Sequence, residues 1–147
     1  DLLIHLSAEQ LEKKAAKVIE GEALDLIIGN VPSLKEEDKD EKEAVKKNIK
    51  KTRLEDSSRI VCEDYESFLA TAKEKFSLVF LDPPYHMGYV EKAVKKLISK
   101  NLLSDDAIIV AETDGDEEPG EFPSLTIKTQ RKYGRVKITV YKRCDEN

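Results

Sequence analysis

The sequence predicts an α/β fold, with a doubly wound, mostly parallel sheet and an antiparallel hairpin at its C-terminal edge. Short continuous apolar stretches alternate four times with amphipathic ones, which is typical of parallel strands covered by helices on both faces. A fifth apolar stretch follows, and two further strand-like stretches flank Gly134. No linker or long internal repeat interrupts this order, so residues 1–147 are expected to form a single domain.

Each element is predicted from the spacing of its apolar residues. The first helix has a capping box in Ser7 and Gln10 and ends at Gly21. The last helix has an inward face of Val90, Ala93, Val94, Leu97 and Ile98. Strands are predicted at 2–6, 23–29, 59–62, 77–81, 107–112, 125–133 and 135–143, and helices at 7–21, 34–52, 65–76 and 89–103.

Composition excludes several classes of protein. No apolar run is long enough for a membrane span, and no signal segment opens the chain, so we predict a cytoplasmic protein without membrane contacts. Cys62 and Cys144 have no partners at metal-ligand spacing, so we predict free thiols and no metal site. The expected oligomeric state is a monomer.

Charge is unevenly distributed on this chain of net charge −5. Residues 124–143 contain seven Lys or Arg and no acid, whereas residues 105–121 are strongly acidic. A basic strip on an acidic protein can contact phosphates, and the alternative is a solvated strand face.

The fourth predicted strand stops on an unusual segment, Asp82-Pro83-Pro84-Tyr85. Ligands of open parallel sheets bind beyond the carboxyl ends of the strands, where Asp82 would lie. The two prolines fix φ and offer no N–H, so the loop is stiff and its carbonyl oxygens point in defined directions. Tyr85 adds a flat aromatic face and a hydroxyl.

These groups suit methyl transfer to the exocyclic amine of a nucleobase. That nitrogen is a poor nucleophile because its lone pair is delocalised into the ring. A carboxylate and a carbonyl that accept its N–H bonds would localise the lone pair, while an aromatic ring would stack on the extracted base. The alternative is a rigid strand-to-helix turn, since Asp and Pro are common in turns.

The segments that flank this loop resemble one family. "EKEAVKKNIKKTRLED", "RIVCEDYESFL", "FSLVFLDPPY" and "KYGRVKITVYKR" are similar to bacterial 16S rRNA guanine-N2 methyltransferases over about residues 40 to 143. The resemblance implies a Rossmann-like class I methyltransferase sheet, S-adenosylmethionine as cofactor, and ribosomal RNA or the small-subunit particle as partner. Residues 1–40 would form an atypical βαβ unit and residues 41–147 the family-like part.

The resemblance also implies roles for individual residues. Asp82, Pro83, Pro84 and Tyr85 would orient the amine and stack on the base. Asp64 would contact the adenine of the cofactor, and the alternative for Asp64 is the N-cap of the following helix. The residues expected to contact RNA are His86, Lys132 and Arg135.

The N-terminal part departs from the family pattern. The family has a glycine-rich turn after its first strand, whereas "LLIHLSAEQLEKK" has no glycine and places Ser7 there. The family's second strand ends in an acid that holds the ribose, for which this chain offers Asp38 and Asp40 as substitutes. The alternative for both residues is a solvated face of the charged helix. The competing prediction is therefore a non-catalytic or chimeric Rossmann-like domain that has lost its cofactor turn.

The first thirty residues also resemble the βαβ unit of a metallophosphatase of the 5′-nucleotidase type. That pattern requires histidines where this chain has Ala8 and Asn30-Val31. His5 lies on a predicted strand and is expected to be packed. Phosphoester hydrolysis is therefore not predicted.

Overall fold

The computed structural model describes residues 26–29, 38–61 and 64–144. Its described elements follow the alternation that the sequence predicts. The strands are β1 (Leu26–Gly29), β2 (Phe76–Asp82), β3 (Leu103–Asp114), β4 (Leu125–Tyr133) and β5 (Val136–Arg143), and the helices are α1 (Asp38–Lys51), α2 (Tyr65–Thr71) and α3 (Tyr89–Ser99), with a 3₁₀ turn at Glu55–Ser57.

The five strands form one mixed sheet in the order β1-β2-β3-β5-β4. β1, β2 and β3 are parallel, whereas β5 is antiparallel to both β3 and β4. The predicted fold class, a mostly parallel α/β sheet that ends in an antiparallel hairpin, is therefore confirmed. β2, the strand that carries Asp82, lies between two parallel neighbours in the described sheet.

Helix α3 packs on the sheet through the face that its sequence predicts. Val90, Ala93, Val94 and Leu97 are buried, and Ile98 packs at the margin of the same core. The helix ends at Ser99, and Asn101 just beyond it adopts a left-handed φ of 53°. The N–H of Asn101 donates to the carbonyl of Ile98 and that of Leu102 to the carbonyl of Leu97. This Schellman ending turns the chain directly into β3.

Helix α2 completes the described core on this side of the sheet. Phe68 and Leu69 are buried with the side chains of β2 and β3. Tyr65 meets Tyr89 of α3 edge to face, with ring centroids 5.9 Å apart. The two helices are thereby held together above the carboxyl half of the sheet.

The long connection between β3 and β4 is anchored on β5. Phe122 is buried against Tyr141 with ring centroids 5.6 Å apart, and the Tyr141 hydroxyl donates to the Gly120 carbonyl at 2.8 Å. At the start of the connection, the N–H of Gly115 donates to the Arg135 carbonyl at 2.7 Å. A Cβ on Gly115 would lie 3.2 Å from that carbonyl oxygen, so glycine permits this close approach.

Several predicted boundaries are wrong. The strand expected at 59–62 is reduced, within the described residues, to a single bridge residue at Val61. The helix expected at 65–76 ends at Thr71, and the next one ends at Ser99 instead of 103. β3 is twice as long as the predicted 107–112, because its ends continue along β2 and β5. The elements predicted at 2–6 and 7–21 lie outside the described residues.

No helix in the described part of the chain is long and apolar enough to cross a membrane.

We predict that Leu97→Ala destabilises the fold by about 2–5 kcal/mol, because Leu97 is fully buried between α3 and the sheet. Leu54→Ala is the matched control, since Leu54 is 37% exposed and should cost less than about 1 kcal/mol. Urea unfolding monitored by circular dichroism measures both. Equal losses in the two variants would contradict this account of the core.

Candidate functional site

The candidate acceptor loop, residues 82–88, leaves the sheet at the carboxyl end of β2. Asp82 is the last residue of β2 and pairs in register with Gly29, the last residue of β1. On the other side, Leu81 pairs with Ala111 of β3, so Asp82 and Glu112 come next on adjacent parallel strands. The carboxyl ends of three strands therefore meet at Asp82, where parallel sheets bind ligands.

Tyr85 is fixed to the neighbouring strand. Its hydroxyl donates a 2.7 Å hydrogen bond to Oε1 of Glu112. Pro83 is buried beneath the loop, while Pro84 is exposed. The loop is thus held by a buried proline on one side and by a hydrogen bond to an acid on the other.

The environment of Tyr85 favours the protonated phenol. Burial, the hydrogen bond to Glu112 and the nearby carboxylates of Glu112, Asp82 and Asp114 all raise the Tyr85 pKa above its usual value near 10. The hydroxyl therefore remains a hydrogen-bond donor at physiological pH, which keeps the tie to Glu112 intact.

His86 contacts three acidic side chains, through its backbone N–H and its imidazole ring. It adopts a left-handed φ of 60°, and its N–H donates to Oε1 of Glu117 at 2.7 Å. Its Nε2 lies 3.3 Å from Oδ2 of Asp114 and 3.6 Å from Oδ1 of Asp116. Glu117 also accepts from the N–H of Asp114 through its other oxygen at 2.9 Å, so it joins the loop to the end of β3.

His86, Asp114 and Asp116 each place a ligand atom within 4.8 Å of the others. They are paired among themselves, and Asp116 is 76% exposed. Burial would raise the pKa of Asp114, but the hydrogen bonds from His86 and the Gly115 N–H, with the charges of His86 and Arg135, lower it on balance. The cluster is thus a network of close polar contacts between His86 and the two acids, with Arg135 beside it.

The predicted RNA contacts Lys132 and Arg135 lie next to this network. Gly115 bonds to the Arg135 carbonyl and packs close to the Lys132 side chain, so the tip of the β4–β5 hairpin touches the carboxyl end of β3. Tyr133 at the same tip is 61% exposed. The structure therefore brings His86, Lys132 and Arg135 to one edge of the sheet, beside the candidate acceptor loop.

Asp64 occupies the N-cap of α2, as its alternative interpretation predicted. Its Oδ2 accepts from the Ser67 N–H at 3.0 Å and from the Ser67 hydroxyl at 3.2 Å. Its other oxygen accepts no bond from a described residue, and the side chain is exposed. A ligand contact is therefore compatible with the cap, and the cofactor role stays a prediction.

The remaining predicted cofactor residues are placed only in part. Asp38 is the first residue of α1 and Asp40 lies in its first turn. Ser7 lies outside the described residues. Among the described strands, β2 lies between β1 and β3. On the β1 side, the residue next to Asp82 is Gly29, the last residue of β1. The predicted donor turn at Ser7 is thus not the described neighbour of the acceptor loop.

A small cavity lies between the loop, the start of α3 and the β3–β4 connection. Pro83, Tyr85, Tyr89 and Thr113 contribute to its lining, and it measures about 40 Å³, far below the roughly 300–1,000 Å³ of typical ligand sites. The buried hydroxyl of Thr113 has no hydrogen-bond partner within the described part of the chain. The cavity is too small to enclose a nucleobase.

Sequence reasoning missed Glu112 and Glu117. Glu112 ends the predicted strand 107–112, and its place beside Asp82 follows once the two strands are neighbours. That signal was present in the sequence, since acids at the ends of adjacent parallel strands meet at one edge. Glu117 lies in a connection without periodicity, so only the structure reveals its contacts.

Comparisons with known proteins identify the family. Residues 30–142 match the protein family described as "Conserved hypothetical protein 95". The chain belongs to this family. The match includes the candidate acceptor loop and nearly all of the closing hairpin, two of the four segments on which the predicted resemblance rests.

Named relatives agree with this membership. "Ribosomal RNA small subunit methyltransferase D" of Escherichia coli K12 is 27% identical over 88 residues, which are 59% of this chain and 44% of that protein. A solved structure of a conserved hypothetical protein from Streptococcus pyogenes superposes with a TM-score of 0.70 at 27% identity, covering 84% of this chain and 74% of that one. The predicted resemblance to rRNA methyltransferases is confirmed.

A different relative matches a shorter stretch more closely. "Probable M18 family aminopeptidase 1" of Clostridium acetobutylicum is 51% identical over 67 residues, which are 46% of this chain but only 14% of that protein. So small a share carries neither the fold nor the activity of an aminopeptidase. The chain spans less than half of both curated relatives named here.

We predict that Tyr85 ionises only at strongly alkaline pH. Since its folded-state pKa is raised, its contribution to stability is present below pH about 10 and is lost as pH rises through the folded pKa. In an alkaline titration that follows tyrosinate absorbance, Tyr85→Phe should remove one of the three tyrosines whose raised pKa makes them ionise late, Tyr65, Tyr85 and Tyr141. Glu112→Gln should shift that tyrosine to lower pH. A late rise unchanged in Tyr85→Phe would contradict the assignment.

Proposed function

We propose that this chain is the S-adenosylmethionine-dependent catalytic domain of an RNA methyltransferase that methylates the exocyclic N2 of a guanine in 16S ribosomal RNA. The observation that carries the proposal is the 82–88 loop, held at the carboxyl edge of the sheet by the Tyr85–Glu112 hydrogen bond. The named rRNA methyltransferase relative and the family membership support it.

The acceptor side needs groups that accept hydrogen bonds from an amine. Asp82 and the Pro83 carbonyl would accept the two N–H bonds and localise the nitrogen lone pair toward the methyl group. The ring of Tyr85 would stack on the base, with its orientation set by Glu112. No strong base is required, because the amine becomes acidic once it is methylated and its proton then passes to solvent.

The described residues fit a methyl donor at two points. Gly29 has no side chain and lies in register with Asp82, so the backbone there can approach a ligand closely. The exposed Asp64 has one oxygen that accepts no bond from a described residue, and this oxygen could accept from an adenine amine. S-adenosylmethionine supplies an electrophilic sulfonium methyl group, whose C–S bond breaks as the new C–N bond forms. Asp82 and Pro83 contribute by holding the nitrogen in line with that bond.

The RNA would approach over the hairpin tip. Lys132 and Arg135 lie beside the acceptor loop and can contact phosphates, while the exposed Tyr133 offers a stacking surface. His86, paired with Asp114, is better placed to hold the loop than to contact RNA directly.

The competing function is a non-catalytic member of the family that binds RNA through the same edge. The small size of the cavity beside the loop favours it, together with the single glycine of the "LIIGNVPS" segment. Such a protein would bind ribosomal RNA without consuming the donor.

We predict that Asp82→Asn lowers methyl transfer to small-subunit rRNA by about tenfold, because a neutral amide oxygen accepts the amine N–H more weakly than the carboxylate that it replaces. Incorporation of radiolabelled methyl groups measures the loss. Asp105→Asn is the matched control, since Asp105 is exposed on β3, and it should transfer methyl groups like the wild type. Transfer by Asp82→Asn at the control rate would contradict the proposed acceptor site, and no transfer by any variant would favour the non-catalytic function.

We further predict that Asp64→Asn separates the two roles of Asp64. Asparagine retains the N-cap, so stability should change little, whereas Asp64→Ala should lose about 1 kcal/mol. Both variants should bind S-adenosylmethionine about tenfold more weakly, because the charged acceptor is gone. Thermal unfolding and calorimetric titration measure the two effects. Unchanged donor affinity in Asp64→Asn would restrict this residue to its structural role.

A further inference from the structure

We propose that Glu112 is a specificity-determining residue that admits guanine to the acceptor site and rejects adenine and cytosine. The inference rests on the proposed function, in that the base bound against Tyr85 is taken to be the methyl acceptor. Glu112 would contact the edge of that base, in addition to positioning Tyr85.

The position of Glu112 places it at the reacting edge. It follows Ala111, the β-sheet partner of Leu81, so its backbone borders that of Asp82 on the adjacent parallel strand. The half-buried side chain reaches the Tyr85 hydroxyl at 2.7 Å, and the fields of Glu112 and Asp82 both act on that hydroxyl. A base stacked on Tyr85 would therefore present its edge to two carboxylates.

Glu112 has an oxygen available for that edge. Oε1 accepts the Tyr85 hydroxyl, while Oε2 accepts no hydrogen bond from any residue in the described ranges. A half-buried carboxylate oxygen is only partly hydrated, so an N–H donor from a ligand can form a strong charge-assisted hydrogen bond with it. The Tyr85 bond restricts the rotation of the carboxylate, so Oε2 keeps a defined direction relative to the ring.

The first residues of the loop beside Glu112 offer acceptors, and its two prolines offer no backbone donor. Asp82 and Glu112 are carboxylates, and Pro83 and Pro84 have carbonyls but no N–H. Guanine presents two adjacent donors, its N1–H and its N2 amine. Adenine and cytosine pair their amine with an unprotonated ring nitrogen, whose lone pair would face a carboxylate. The acceptors of Asp82, Pro83 and Glu112 therefore match guanine and disfavour the other two bases.

Glu112→Gln tests the assignment with little change in size. The amide oxygen can still accept from Tyr85, which turns the amide N–H groups toward the base and replaces an acceptor by a donor. Glu112→Ala removes both interactions without adding a donor. Glu74→Gln is the matched control. Glu74 is exposed, pairs with Arg59, and precedes the start of β2, at the opposite end of that strand from Asp82. Circular dichroism of each variant verifies the fold.

The probes are short oligouridylates that carry one central guanosine, adenosine or cytidine. Fluorescence anisotropy gives their affinities, and methyl incorporation from S-adenosylmethionine is measured in the same samples. We expect the wild type and Glu74→Gln to prefer the guanosine probe by about tenfold or more. The preference should vanish in Glu112→Ala and should vanish or reverse in Glu112→Gln.

Two results would overturn the assignment: a wild type without base preference, or a Glu112→Gln variant that keeps the guanosine preference of the wild type. The methyl incorporation decides the proposed function separately. A Glu112-dependent preference for guanosine without methyl transfer would retain the specificity role and refute the enzymatic one.

Discussion

The hydrogen bond between Tyr85 and Glu112 is the interaction on which the candidate site depends. It joins the loop after β2 to the end of β3, the two strands whose parallel pairing defines this edge of the sheet. The two prolines stiffen the loop, yet they cannot by themselves fix the direction of the tyrosine ring. The bond to a half-buried carboxylate does so, and it persists because the surroundings keep the phenol protonated.

The same edge gathers charges of both signs. Acids at 112–118 surround the loop, while Lys132 and Arg135 reach it from the hairpin tip through the close contact at Gly115. Lys137 is buried and donates to Glu118 at 2.8 Å and to the Glu117 carbonyl, which anchors the acidic connection on β5. Acceptors at the loop and cations at the hairpin tip together suit a nucleotide, because its base edge can carry N–H donors and its backbone carries phosphates.

The sequence allowed the fold and the acceptor loop to be predicted because both rest on local signals. The face of α3 from Val90 to Leu97 repeats at helical spacing, and Gly134 marks a hairpin turn. Among the described residues of the strand predicted at 59–62, only Val61 forms a bridge, because a short apolar stretch does not reveal how many of its residues pair with a neighbouring strand. The contacts of Glu117 and the approach of Gly115 to Arg135 depend on packing between distant segments, which no local pattern encodes.

The position of the methyl donor relative to the 82–88 loop is the feature on which the proposed reaction depends most. β1 borders β2 and ends at Gly29 beside Asp82, so a donor bound beyond β1 would face the acceptor loop. A crystal structure with S-adenosylhomocysteine and a short guanosine-containing RNA tests this geometry most directly. The account predicts the cofactor sulfur next to the guanine N2 amine, with Asp82 and the Pro83 carbonyl on that amine and the base stacked on Tyr85. A guanine bound away from the 82–88 loop, or a cofactor bound away from the end of β1, would contradict it.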